Sequence, residues 1–230
     1  MLLPHIRSNG ATTMSTFLDA PFEPDIDRLP RWARVAFAVR CAQRVEPVFR
    51  STWPDAPREH RAMLRKTLTM AAAVAASGDG DAEALRDFSA QLGQIASSTF
   101  DADVPPTDPG SPPRTETACW VAVSAMEAAE AAIHALMDSY DVGFVRQSFE
   151  RAMDAASHRR AGLEAECAMK QDFDALVARA DAGSWDDDTP VDPSLLDDLW
   201  PEGKPPRWPG LGQHMSKKRQ QELSVLSRRS

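Results

Sequence analysis

Apolar positions recur at intervals of three and four residues through most of this chain, which is the spacing of one buried face on an α-helix. No segment shows the strict alternation of apolar and polar residues that a half-buried strand requires. Alanine, the strongest intrinsic helix former, occurs from residue 11 to residue 182 and not beyond. The pattern predicts an all-α fold, an irregular bundle of about five or six helices with an extended Trp/Pro-rich C-terminal arm.

The first helix is predicted from Leu29 or Pro30 to about Glu46. Asp27 is a candidate cap in front of it, since an aspartate can accept hydrogen bonds from the first free N–H groups of a helix. Pro47 should stop or kink this helix, because proline lacks the N–H group that the helical ladder needs.

Two further helices are predicted on either side of a Gly-Asp-Gly break at residues 78–80. The second begins after Asp55 and ends at Gly78, a residue type that favours the left-handed conformation of helix C-termini. The third begins after Asp81 and extends to about Phe100. So short a connection predicts that the two helices are antiparallel neighbours.

A proline-rich segment, residues 101–114, is predicted to be a linker or a long surface loop, because its prolines bar helix and central strand. The alanine-rich fourth helix, from about Thr115 to Met137, is predicted to be central. A last helical stretch covers residues 143–182. It would span about 60 Å as one rod, so a kink or a break into two helices, with Gly162 as the candidate, is expected.

Four segments follow from these boundaries. Residues 1–26 form a flexible N-terminal segment, in which Met14 could be the natural start, and residues 27–182 form the bundle. Residues 183–213 are predicted to run extended over the bundle with their tryptophans docked in grooves, because they are too apolar for a free tail. Residues 214–230 form a basic tail.

Composition narrows the class of protein. The 230 residues are 43% hydrophobic and 26% charged, which is typical of a globular protein. A formal net charge of −8 disfavours nucleic acid as a partner of the whole molecule.

Three cysteines without a CxxC pair indicate a reducing, cytoplasmic setting, and each is interpreted as a small buried hydrophobe: Cys41, Cys119 and Cys167. The weakly polar stretch 67–77 is too short to span a membrane.

Arginines and tryptophans supply the candidate contact residues. The first helix carries four arginines mostly opposite its apolar stripe, where they could dock an acidic partner or pair with carboxylates of the same fold. The tryptophans of two Trp-Pro elements could form a partner-binding hook or clamp the arm on its own bundle. The candidate partner-binding residues are therefore Arg31, Arg34, Arg40, Arg44, Trp200 and Trp208.

Carboxylate and histidine pairs are the one candidate for a metal site. Glu130 and His134, and likewise Asp154 and His158, are four residues apart, so each pair can share a helical face. Di-iron bundles use Glu-x-x-His instead, which neither pair matches. We therefore predict no metal and no cofactor, and keep these four residues as the alternative.

No sequence motif for a catalytic nucleophile, a nucleotide-binding loop or a zincin is present. The acidic run at residues 186–188 lacks the pattern of a calcium loop and is interpreted as a solvated loop. Nucleic acid would have to bind through the basic tail, by the residues Lys217, Lys218, Arg219, Arg228 and Arg229.

Three stretches of the sequence are similar to a group of bacterial proteins. Leu29 to Ala42 (LPRWARVAFAVRCA), the run WPDAP from Trp53 and the run LWPEG from Leu199 resemble uncharacterised all-helical bacterial proteins of the kind encoded near toxin or defence genes. The resemblance covers most of the chain and brings no catalytic motif. It implies a non-enzymatic protein that recognises another protein.

The expected function is thus a helical protein-binding module, an immunity-like or accessory subunit whose partner is another protein and which does not bind membranes. Two alternatives stay open: a metal-binding helical-bundle enzyme that uses the carboxylate and histidine pairs, and a nucleic-acid accessory protein that acts through the basic tail.

Overall fold

The computed structural model describes residues 22–100, 115–157, 162–183 and 185–195. Over these ranges the chain is helical and has no strand, which confirms the all-α prediction. Single turns of 3-10 helix occur at Ile26–Arg28 and Pro193–Leu195. The helices of the described residues are α1 (Arg31–Thr52), α2 (Arg58–Ser77), α3 (Ala82–Ser98), α4 (Glu116–Met137), α5 (Val142–Ser157) and α6 (Gly162–Asp181).

Helices α1, α4 and α5 pack against one another and form the centre of the bundle. Their contact faces are rich in alanine, and short side chains allow helix backbones to approach closely. α2 and α3 cover α4 from one side, while α6 packs on α1 and α5. The fully buried alanines of the centre include Ala36, Ala38, Ala42, Ala125, Ala128, Ala132, Ala152 and Ala155.

Ser148 joins the three central helices. Its side chain is fully buried on α5, and its hydroxyl lies 3.0 Å from the carbonyl oxygen of Ala38 and 2.9 Å from that of Ala128. Both carbonyls belong to neighbouring helices, so the one hydroxyl proton is shared between two acceptors. A serine at this position satisfies its polar group without widening the contact between helices.

Local signals fixed several helix ends as predicted. The carboxylate of Asp81 accepts hydrogen bonds from the backbone N–H groups of Glu83 and Ala84 at the start of α3. The hydroxyl of Thr115 accepts one from the N–H of Ala118 at the start of α4. The long last stretch is two helices, and Gly162 begins the second of them.

Gly78 ends α2 in the left-handed conformation, with φ at +70°. A β-carbon here would also lie only 2.7 Å from Cγ of Pro190, so the position demands glycine on two counts. The next residue of the arm, Val191, is buried and donates its N–H to the carbonyl of Ala75 at 3.0 Å. Residues 185–195 therefore contact the bundle through Val191, and the rest of the predicted arm, residues 196–213, lies outside the described residues.

The predicted end of α1 was wrong. Pro47 lies inside the helix, which continues to Thr52. An interior proline costs a helix about 3 kcal/mol. Here the residues beyond it, Val48, Phe49 and Trp53, are buried in the core, and their burial offsets that cost.

The predicted cap of α1 was also wrong. Asp27 lies in the 3-10 turn, and Pro30 precedes the helix without a side-chain cap. The first backbone N–H of the helix, that of Arg31, donates instead to the Asp187 carboxylate at 2.6 Å. One residue of the acidic run is thus a helix cap supplied from 156 positions away rather than part of a purely solvated loop.

Residues 22–26 are packed on the bundle, although we expected them to belong to a flexible segment. Ile26 is buried, and the N–H of Phe22 donates to the carboxylate of Glu166 at 2.7 Å. The Phe22 ring makes edge contacts with Phe149 and Phe173, with centroids 5.7 and 5.8 Å apart. Aromatic edge contacts of this kind add to the apolar burial that holds the segment in place.

Among the described residues, α4 is the one helix whose length and apolar composition would allow it to cross a membrane. In the bundle 78% of its apolar window is buried. The core helix of a globular protein passes the same test of length and composition, and the burial of α4 is that of a core helix.

We expect Ser148→Ala to lower the free energy of unfolding by about 1 kcal/mol, the net value of a typical hydrogen bond. Ser148→Leu should cost more, roughly 1–3 kcal/mol, because it overpacks the contact between α5, α1 and α4. Urea unfolding followed by circular dichroism measures both values. A Leu variant as stable as the Ala variant would contradict close packing at this position.

Candidate functional site

Two of the four candidate arginines are buried in an ion-paired cluster. Arg44 binds the carboxylate of Asp172 in a bidentate manner, with Nε 2.8 Å from Oδ2 and Nη2 2.7 Å from Oδ1. Arg40 places Nη2 2.6 Å from the same Oδ1 and donates through Nη1 to the carbonyl of Leu195. The cluster therefore ties α1 to α6 and to the arm.

Of the two alternatives for these arginines, docking of an acidic partner or pairing with carboxylates of the same fold, Arg40 and Arg44 follow the second. They are four residues apart on the buried side of α1, and α6 supplies the anion between them. An arginine can be buried when a carboxylate matches its fork of donors. The sequence pattern could not show this, because Asp172 lies more than 120 positions further along the chain.

The other two arginines lie half-buried at the start of α1. Arg31 donates through Nε to the hydroxyl of Ser139 at 2.5 Å, and its guanidinium carbon lies 4.5 Å from the centre of the Tyr140 ring and 5.0 Å from that of Trp32. Arg34 donates through Nε to the carbonyl of Leu29 at 2.7 Å. Both guanidinium groups therefore bind the start of α1 to residues in neighbouring turns.

The cysteines divide into two kinds. Cys41 and Cys119 are buried, as expected, but Cys167 is exposed on α6. Burial, and next the negative charge of Asp172, raise the pKa of the Cys41 thiol well above its usual value. Because the thiolate is the reactive form, Cys41 is held in its unreactive state.

A polar cluster lies where α3 meets α4. The hydroxyl of Ser89 is 3.2 Å from Oε1 of Glu130 and 3.1 Å from Nε2 of His134. The ring of Phe144, on α5, stacks on the imidazole with a centroid distance of 5.0 Å. Gly93 provides the room, because a β-carbon there would be 3.3 Å from the Glu130 carboxylate.

This cluster contains the residue types of a catalytic triad but not its geometry. In a triad the carboxylate holds the imidazole nitrogen that faces away from the serine. Here the carboxylate of Glu130 lies 3.9 Å from Nε2, the same nitrogen that contacts Ser89. The carboxylate thus competes for the serine proton instead of orienting the base, and the serine is not activated as a nucleophile.

Of the residues of the alternative metal site, Glu130 and His134 lie side by side, with 3.9 Å between Oε1 and Nε2, whereas Asp154 contacts a different group. Asp154 pairs with Arg151 at 3.2 Å, and the same Arg151 lies 3.1 Å from the carboxylate of Glu127. No group of three or more metal-ligating side chains occurs among the described residues, and His158 lies outside them.

Carboxylates are crowded around Arg151. Burial raises the pKa of Glu127 above its usual value, Arg151 lowers it in part, and the charges of Glu130 and Asp154 raise it further. The shift comes first from burial, and Arg151 has the largest of the charge effects on Glu127.

One row of α4 residues reaches the surface between α3 and α5. Its members follow one another at intervals of three and four, so they form a single line along the helix. We call this row the α4 stripe: Trp120, Val123, Glu127, Glu130, His134 and Met137. The other side of α4 is enclosed by α1.

The most apolar end of the α4 stripe is an exposed aromatic pair. Trp120 and Phe100 are each 45% exposed, and their ring centroids are 4.9 Å apart in an edge contact. Helical spacing in the sequence does not distinguish a helix face that packs within the chain from one that remains exposed. The third exposed large side chain of the described residues is Tyr140, at 67%.

The remaining candidate residues, Trp200, Trp208 and the basic residues of 214–230, lie outside the described residues. Comparisons with protein-family models, with curated proteins and with solved structures gave no match. The functional argument is therefore built from the described surface itself.

We expect Asp172→Ala to destabilise the protein by about 3–5 kcal/mol, since it leaves Arg40 and Arg44 buried without their shared anion. Asp174→Ala, two residues away, is the matched control. Asp174 pairs with Lys170 on the surface, so its loss should cost no more than about 0.5 kcal/mol. Equal losses in chemical unfolding would show that the buried cluster does not hold α6.

A thiol-reactive chromophore should label one cysteine rapidly in the native protein and all three after denaturation. The rapid reaction belongs to Cys167, so Cys167→Ser should abolish it, while Cys41→Ser leaves it intact. Rapid native labelling of Cys41 would contradict its buried, protonated state.

Proposed function

We propose that this chain is a non-enzymatic helical protein-binding module and that the α4 stripe, together with Phe100, is its contact surface. The observation that carries the proposal is the exposed pair of Phe100 and Trp120. Large aromatic side chains that remain open on a folded protein mark contact sites, and tryptophan is enriched among the residues that dominate binding energy.

The surroundings of the pair support this proposal. Val123 and Met137 add half-buried apolar surface along the same line, and the carboxylates of Glu127 and Glu130 lie between them. An apolar anchor beside charged groups is the composition of a protein interface. The Ser89 cluster supports no nucleophilic chemistry, for the geometric reason given above.

The resemblance to proteins encoded near toxin or defence genes extends the proposal to an immunity-like or accessory subunit of such a system. In that role the aromatic pair supplies affinity, and the net charge of −8 steers the encounter with a complementary partner.

Trp120→Ala is the direct test. We expect it to weaken partner binding by more than tenfold, the effect of removing an interface hot spot, while thermal unfolding changes little because the side chain is half exposed. The measurement is quantitative capture of proteins from the source cells on the immobilised full chain, followed by titration of the captured protein.

Phe88→Ala is the control variant. Phe88 is a half-buried aromatic residue of α3, and its ring contacts the ammonium group of Lys66 on α2. It should leave capture unchanged. Capture that is equally strong with Trp120→Ala and Phe100→Ala would overturn the proposed contact surface.

A further inference from the structure

The α4 stripe has a fixed order of chemical groups. Its aromatic end is at Trp120, and two carboxylates follow at Glu127 and Glu130. At 1.5 Å per residue, these carboxylates stand about 10 and 15 Å further along the helix axis. Residues of α3 and α5 contact this row, since Ser89 of α3 meets Glu130 and Arg151 of α5 meets Glu127.

The middle of the stripe carries excess negative charge that a partner can reach. The side chains of Glu127 and Glu130 are both about one-third exposed, and Asp154 lies on the adjoining edge of α5. Arg151 is the cation that contacts Glu127 and Asp154. Three carboxylates and one guanidinium therefore lie in this region, an excess of negative charge at the surface.

We infer that the occupant of the α4 stripe is a cationic amphipathic helix of the partner protein, with an apolar anchor on Trp120 and Phe100 and Lys or Arg side chains on Glu127 and Glu130. This inference rests on the proposed function and names its partner. A helix laid along α4 presents side chains with the same rise as the stripe, so its anchor and cations would be separated by about seven and ten positions.

Other occupants fit the charges less well. Two copies of this chain that cover the whole stripe, with a twofold axis at its middle, would bring the carboxylates of one copy against those of the other. Nucleic acid would bring phosphates to the same carboxylates. An acidic helix would meet the same repulsion.

The test uses the full chain and a display library of 18-residue helical peptides with randomised surface positions. The inference expects selected peptides to carry Lys or Arg seven and ten or eleven positions from an apolar anchor. Their binding should weaken roughly five- to thirtyfold in Glu127→Gln/Glu130→Gln, and the wild-type affinity should fall with added salt more steeply than that of the variant.

The charge change is isosteric, and ionisation of Glu127 is opposed by its burial in the fold, so the double variant should remain folded. Glu59→Gln/Glu164→Gln is the matched control. It removes two exposed carboxylates from α2 and α6 and should leave peptide affinity unchanged.

The outcomes separate the two proposals. Peptides that need Trp120 but show no cationic bias, or that bind the Gln variant equally well, would overturn this inference and leave the binding module standing. Loss of any Trp120 dependence would overturn both. A photoreactive side chain at position 123 that cross-links to residues 101–114 or 214–230 of the same chain would also overturn the inference, because the occupant would then be internal.

Discussion

Close packing of α1, α4 and α5 through small side chains is the constraint on which the rest of this structure depends. Alanine faces bring the three backbones together, and Ser148 is accommodated between Ala38 and Ala128 only because its hydroxyl finds two carbonyls. A helix that is enclosed this tightly has little surface left for anything else. α4 therefore reaches solvent along one narrow line, and any recognition by this helix has to occur there.

The sequence predicted the helices well where the decisive signals were local. Asp81, Thr115 and Gly78 act within three or four residues of themselves, and the structure confirms each of them. Pro47 shows the limit of such signals. Proline favours the end of a helix, but the burial of Val48 and Phe49 stabilises the helix beyond Pro47. This burial is a tertiary effect, so a short segment of sequence does not show it.

The candidate site was less predictable, because its residues meet across long separations. Arg40 and Arg44 have the spacing of surface charges, and only the arrival of Asp172 from α6 makes them interior residues. Glu130 and His134 were paired correctly by helical spacing, but Ser89 and Phe144 were not foreseen as their neighbours. The exposure of Trp120 likewise depends on which helices lie beside α4, and that is set by the tertiary fold.

The arm binds the bundle at three separate places. Asp187 receives the first N–H of α1, Val191 bonds to the end of α2, and the carbonyl of Leu195 receives Arg40. If these residues of the arm detached, the N–H group of Arg31 would lose its acceptor. The buried guanidinium of Arg40 would lose the carbonyl of Leu195. The exchange of the Arg31 amide hydrogen with solvent is therefore expected to report the opening of residues 185–195, so one amide of a core helix measures the local stability of a loop.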